Sequence, residues 1–191
     1  MADLDYSSMT INAVQRVAVV TGSSSGIGSE TSLVHARNGF HTYSTMRNLE
    51  KSSNITEASR NENLPLQAIQ LDVNNEKSVI EGINRISEEK ERIDVVVNNA
   101  GYDLIGPLVE TSMDELKAQF ETNFFGAIKV MLAVIPLTRK QKSGRIVNIA
   151  SVGGRIATPF HSGYHGTKFA LEGLSESVQY ELEPFGLRSF L

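Results

Sequence analysis

The chain has 191 residues, 40% of them hydrophobic, with 18 Lys and Arg against 22 Asp and Glu, a net charge of -4 and no cysteine. That size and balance fit one globular domain whose core needs no staples, and the missing cysteines exclude disulfides and thiolate metal sites. The acidic balance lacks the basic footprint of a nucleic-acid binder. The longest apolar runs, "RVAVV" and "VMLAVIP", fall short of the ~18 residues of a membrane span.

Residues 1–15 read as an acidic, polar leader without the basic start and apolar stretch of a secretion signal, so the cytoplasm is the expected compartment. Residues 16–191 form the single domain, in which short β-branched runs alternate with longer amphipathic ones. The first strand is "RVAVVTG" from Arg16, and a helix over 27–38 follows it, closed by Asn38-Gly39. "HTYSTM" from His41 is the second strand, with a helix over 48–60. "LQAIQLD" from Leu66 is the third, with a helix over 75–90. "IDVVVNNAG" from Ile93 is the fourth; the helix behind it, 112–138, opens with Ser112 and Glu115 at the spacing of a capping box. "GRIVNIAS" from Gly144 is the fifth. The last helix, 162–183, carries Leu171, Leu174 and Val178 on one face and stops at Pro184 and Gly186, after which "GLRSFL" begins a sixth strand. This alternation predicts an α/β fold, a Rossmann-like doubly wound parallel sheet with helices on both faces. In such sheets ligands bind beyond the carboxyl ends of the strands.

"VAVVTGSSSGIGSE" sets Gly22, Gly26 and Gly28 between the first strand and the first helix. Glycines there allow a tight turn and let backbone amides approach a pyrophosphate at the positive end of the helix; a plain flexible turn is the alternative. An NAD-binding fold places an acid for the ribose hydroxyls about 20 residues further on. Here "TYSTMRNLEK" has no acid before Glu50 and carries Arg47. A guanidinium at that point suits a 2′-phosphate, which favours NADP(H) over NAD, against the alternative of a solvated surface arginine.

In "HSGYHGTKFALEGLSES", Tyr164 and Lys168 stand four residues apart, one helical turn. A phenol titrates near ~10 and handles protons poorly at neutral pH unless its surroundings help. A neighbouring ammonium is such help. His161 and His165 share the same spacing but have no third ligand, and read as surface or substrate-loop residues rather than a metal pair.

"TGSSSGIG", "NNAG" at 98–101, Asn123 in "ETNFFG", Ser151 in "IVNIAS" and "YHGTK" at 164–168 occur in one order along the chain. In that order they resemble the short-chain dehydrogenase/reductase family, and specifically its NADP(H)-using branch, from about Arg16 to the last residue. The resemblance implies that Gly22, Ser24, Ser25 and Ile27 line the phosphate and ribose end of the cofactor, that Asp72 and Val73 meet the adenine, and that Asn99, Ala100 and Gly101 flank the ribose. It also implies a catalytic tetrad of Asn123, Ser151, Tyr164 and Lys168. In a carbonyl reduction the nicotinamide supplies the hydride and Tyr164 the proton. Lys168 favours the phenolate electrostatically and donates to the nicotinamide ribose. Ser151 donates to the substrate oxygen where charge develops, and Asn123 holds a proton-relaying water.

Each of these residues taken singly admits a plainer role. Tyr164 could be a core tyrosine with a satisfied hydroxyl, Lys168 could snorkel, Ser151 could cap a turn, and Asn123 could bond a nearby carbonyl. A cofactor-sensing or scaffold protein that binds NADP(H) without catalysis is therefore the alternative to an oxidoreductase acting on a secondary alcohol or ketone. Members of the family run on through a sixth and a seventh strand and a substrate loop, so residues beyond "EPFGLRSFL" are expected. The loops "GYDLIGPLVE" and "VGGRIATPFHSGY" hold Leu104, Ile105, Ile156 and Phe160, which point to an apolar substrate. By resemblance, helices 112–138 and 162–183 pair across a two-fold axis in a homodimer.

Overall fold

Val17–Val20 (β1) and Val95–Asn98 (β4) are buried at every residue, the condition a strand running between two helical layers has to meet. The computed structural model describes residues 14–191, so all but the end of the expected leader lies outside the described part. Around these two strands lie His41–Met46 (β2), Leu66–Gln70 (β3), Gly144–Asn148 (β5) and Leu187–Phe190 (β6). They form one six-stranded sheet in the order β3-β2-β1-β4-β5-β6. Every pairing is parallel, from Val17 beside His41 to Gly144 beside Leu187. The sixth strand expected to begin at "GLRSFL" is present as Leu187–Phe190.

The helices are Gly26–Arg37 (α1), Ser53–Asn61 (α2), Glu76–Lys90 (α3), Met113–Phe120 (α4), Gly126–Gln141 (α5) and Ser162–Leu182 (α6). One core cluster joins Val17, Val19 and Val96 to Ile83 of α3 and Val130 and Val134 of α5. On the other side of the sheet Ala18, Val20, Val95 and Val97 pack with Phe40. Leu182 and Leu187 close the core with Met131 and Ile146, and Leu174 and Val178 pack against them. Leu171 is buried as well.

Three expectations change in detail. The helix expected over 48–60 starts as a 3-10 turn, Leu49–Ser52, before α2. Residues 112–138 do begin at the capping box, where Ser112 Oγ accepts from Glu115 N and Glu115 Oε2 accepts from Ser112 N. The helix is then widened to π geometry over Glu121–Phe125 before continuing as α5. Finally, Met113–Gln141 is continuous for 29 residues and by length and composition is long and apolar enough to cross a membrane. Counting uninterrupted apolar runs overlooks this, because the apolar residues are spread around the helix. A core helix meets the same measure, and here Val130, Met131 and Val134 are buried in the two clusters above.

Candidate active site

A crevice of about 900 Å³ runs across the carboxyl ends of the strands, the place where a doubly wound sheet offers backbone and side chains to a ligand. In sheet order it passes Asp72 and Val73 after β3 and Arg47 after β2. Gly22, Ser24, Ser25 and Ile27 follow after β1, then Asn99, Ala100 and Gly101 after β4. Tyr164 and Lys168 stand at its far end. All twelve were expected in or beside a cofactor on sequence grounds, and all twelve line this one space.

The glycine loop is shaped by what lies against it. Gly22 has φ +67°, and a Cβ there would stand 2.7 Å from Ala100 Cα, so both conformation and space demand glycine. The loop is tied to β4 from both sides. Asn99 Nδ2 donates to the carbonyls of Thr21 at 2.9 Å and Gly22 at 3.2 Å. Thr21 Oγ1 accepts from the backbone N–H groups of Asn99 at 3.0 Å and Ala100 at 3.1 Å. Asn99 therefore builds the loop as well as lining the crevice. The first turn of α1 contains no acid, which leaves its positive end open to an anion.

At the β2–β3 end of the crevice Arg47 is exposed and makes no ion pair among the described residues. Glu50 is turned to Asn48, whose Nδ2 lies 3.2 Å from its Oε2. Asp72 Oδ1 accepts from Asn74 N at 3.0 Å. A dinucleotide fits this cradle. The glycine loop offers amides at the centre, Arg47 and Asp72 lie to one side, and a phenol and an amine lie to the other.

The amine is Lys168, only 7% exposed. Its Nζ donates to the carbonyl of Ile149 at 2.7 Å and lies 5.7 Å from the centre of the Tyr164 ring. Burial pushes its pKa down from the ordinary lysine value, because the charged form loses hydration. Tyr164 is half-buried and faces the crevice. Tyr43 shows the other fate of a tyrosine: it is fully buried, its hydroxyl donates to Glu89 at 2.7 Å, and burial drives its pKa up.

The other two tetrad residues sit differently. Ser151 Oγ accepts from Gly153 N at 3.0 Å, capping the short turn Val152–Gly154. Asn123 lies in the π turn, and its side chain is committed. Oδ1 accepts from Tyr102 N at 2.9 Å, while Nδ2 donates to Tyr102 O at 2.8 Å and to Thr167 Oγ1 at 3.2 Å. It joins the loop after β4 to α6 and is not bonded to Lys168. Both histidines are also engaged: His161 Nδ1 lies 2.9 Å from Asp103 Oδ2, and His165 bonds Gly153 and Thr158.

Sequence reasoning missed the groups that align α6 with the sheet. Asn98 Nδ2 donates to Asn148 Oδ1, and Asn148 Nδ2 donates to Ser175 Oγ, both at 2.8 Å. Buried amides inside otherwise apolar strands ("VVVNN", "RIVNIA") are the signal that could have exposed this chain, since such groups require partners.

Comparison with known proteins agrees with this geometry. The family model described as short chain dehydrogenase matches residues 16–189. A 3-ketodihydrosphingosine reductase of Bacteroides thetaiotaomicron is 35% identical over 173 residues, covering 91% of this chain and 61% of the relative. Human 17-beta-hydroxysteroid dehydrogenase type 1 is 38% identical over 177 residues, covering 90% and 53%. Among solved structures, a short-chain dehydrogenase from Streptomyces avermitilis superposes with a TM-score of 0.86 at 34% identity, over 92% of this chain and 63% of that one. ElxO with NADP bound gives 0.85 at 34% identity, over 91% and 70%. The chain spans between about half and three-fifths of the length of the curated relatives it matches. With five motifs in order, a parallel sheet in the order 3-2-1-4-5-6 and a family match over nearly its whole described length, the chain belongs to the short-chain dehydrogenase family.

Proposed function

We propose that the protein is an NADP(H)-dependent oxidoreductase that interconverts a secondary alcohol and a ketone, with Tyr164 as proton donor and acceptor. The observation that carries this reading is the placement of Tyr164 and a buried Lys168 in the same crevice as the glycine loop. The nicotinamide, when bound, supplies or accepts the hydride. The α1 amides and the glycine loop hold the pyrophosphate. Lys168, anchored on Ile149 O, keeps donors free for the ribose and places positive charge beside the Tyr164 phenol, favouring loss of its proton in the oxidative direction. In the reductive direction Tyr164 delivers that proton to the carbonyl oxygen, and Ser151 Oγ–H donates to the same oxygen while accepting from Gly153 N.

Arg47 and the missing acid before Glu50 favour NADP(H), and four of the solved structures similar to this chain hold NADP or NADPH. Exposed Tyr102, Ile105, Val152, Ile156 and Phe160 on the two loops beside the reactive end favour an apolar substrate. The apolar side chains Met113, Phe125, Leu132 and Phe169, exposed on α4 to α6, favour a homodimer through those helices. The cytoplasm is the compartment we infer.

The alternative, a protein that binds NADP(H) without turnover, draws on the structural bonds of Ser151 and Asn123. NADPH fluorescence with a panel of apolar ketones separates the two on the complete protein. Oxidation of NADPH supports the enzyme, and quenching or enhancement on binding with no oxidation supports the sensor.

A further inference from the structure

His165 follows Tyr164 on α6 and is 9% exposed. Its Nδ1 lies 2.8 Å from Gly153 O, and its Nε2 lies 2.8 Å from Thr158 N and 3.0 Å from Thr158 Oγ1. A carbonyl only accepts and a backbone N–H only donates. One form of the ring satisfies both: neutral, with the proton on Nδ1 and the lone pair on Nε2. One contact lies within the turn that follows Ser151 and the other just beyond it, so the ring fixes the segment Gly153–Thr158 to the start of α6.

Gly153 is where this matters. Its N–H donates to Ser151 Oγ, its carbonyl accepts from His165, and its Cα faces two rings. A Cβ there would stand 2.8 Å from His165 Nδ1 and 3.2 Å from Tyr164 Cε1. One backbone unit thus bonds Ser151 and His165 and leaves no room for a side chain toward Tyr164. Arg155 adds a second tie from the same turn to α6, its guanidinium 2.6 Å from Glu172 Oε2.

We propose that His165 is a positioning residue, whose neutral imidazole holds Gly153 between Ser151 and Tyr164 and so sets the two hydroxyls relative to each other. The proposal rests on the reading of Tyr164 as the proton donor. The ring does not touch the substrate; it acts through the Gly153 backbone.

The test uses His165→Phe in the complete protein, which keeps an aromatic ring and removes both bonds. Displacing a reacting group by an ångström costs up to about a hundredfold, so kcat is expected to fall by about tenfold to a hundredfold while NADPH affinity, read by fluorescence, stays unchanged. A role in folding alone would lower NADPH binding and Tm together and leave kcat per bound cofactor intact. His165→Asn, whose amide can donate to Gly153 O in place of Nδ1, is expected to recover part of kcat. Long-range ¹⁵N–¹H spectra of histidine-labelled protein should show an Nδ1-protonated ring for the signal that His165→Asn removes. If His165→Phe does not fold, Gly153→Ala carries the test, with the same expected loss of kcat. Wild-type kcat in either folded variant, or an Nε2-protonated His165, would overturn the proposal. Tyr164→Phe in the same assay separates the two levels. If Tyr164→Phe keeps turnover, the proton-donor reading fails. If it is inactive while His165→Phe is normal, only the positioning role fails.

Discussion

Lys168 Nζ and the carbonyl of Ile149 are joined at 2.7 Å, tying the amine of α6 to the residue that follows β5 beside the crevice. A buried ammonium has three donors and needs partners for them. One is spent on Ile149, which fixes the amine in place beside Tyr164. Lys168→Met is expected to lower kcat by about a hundredfold or more, the scale on which a proton-transfer step loses its assistance, with NADPH oxidation as the readout. The same variant has a stability signature. Burial lowers the pKa of Lys168 in the folded protein below its ordinary 10.5. Between the lowered value and 10.5 the unfolded chain holds a proton that the folded one has released, so stability rises with pH across that window. Urea unfolding should show the difference between Lys168→Met and the wild type shifting in the wild type's favour from pH 7 toward pH 10; no pH dependence of that difference would contradict the assignment.

In the proposed reading Arg47 pairs with the 2′-phosphate of NADP(H). A charge-assisted hydrogen bond is worth about 1.5–3 kcal/mol, so Arg47→Ala is expected to weaken NADPH binding about tenfold to a hundredfold and to leave NADH binding as it was. Fluorescence titration with both cofactors reads this, and equal losses for both would remove the 2′-phosphate contact from the account.

Gly22 tests the loop itself. Its φ of +67° costs a residue with a Cβ roughly 1–2 kcal/mol, and the Cβ would press on Ala100 Cα at 2.7 Å. Gly22→Ala should lower Tm by roughly 2–8 °C and abolish NADPH binding, as followed by thermal unfolding and by fluorescence.

Leu132 is 65% exposed on the outer side of α5. If α5 and α6 face a second copy, Leu132→Glu should convert a dimer into a monomer in sedimentation equilibrium with the far-ultraviolet dichroism unchanged. A wild-type monomer would end the dimer proposal.

Much of the fold was legible because β1 (VAVV) and β4 (VVVN) are short valine-rich runs with Gly22 and Gly101 two and three residues beyond them, a pattern that suits a strand buried on both faces and followed by a tight turn. The capping box at Ser112 was equally legible, since its two bonds are local. The π turn at Glu121–Phe125 was not, for the bonds of Asn123 there reach Tyr102 and Thr167, far away in sequence. The same holds for the site. The spacing of Gly22, Tyr164 and Lys168 marks them as candidates, and all three line the crevice. Asn99 as the builder of the glycine loop and His165 as the anchor of Gly153 depend on contacts between separate elements, which no local pattern records.

The most direct measurement is single-turnover oxidation of bound NADPH by an apolar ketone in Tyr164→Phe against the wild type. The account expects NADPH to bind both proteins alike and hydride transfer to fall by a hundredfold or more in the variant, about the scale of lost acid–base catalysis. Transfer at the wild-type rate in Tyr164→Phe would contradict it.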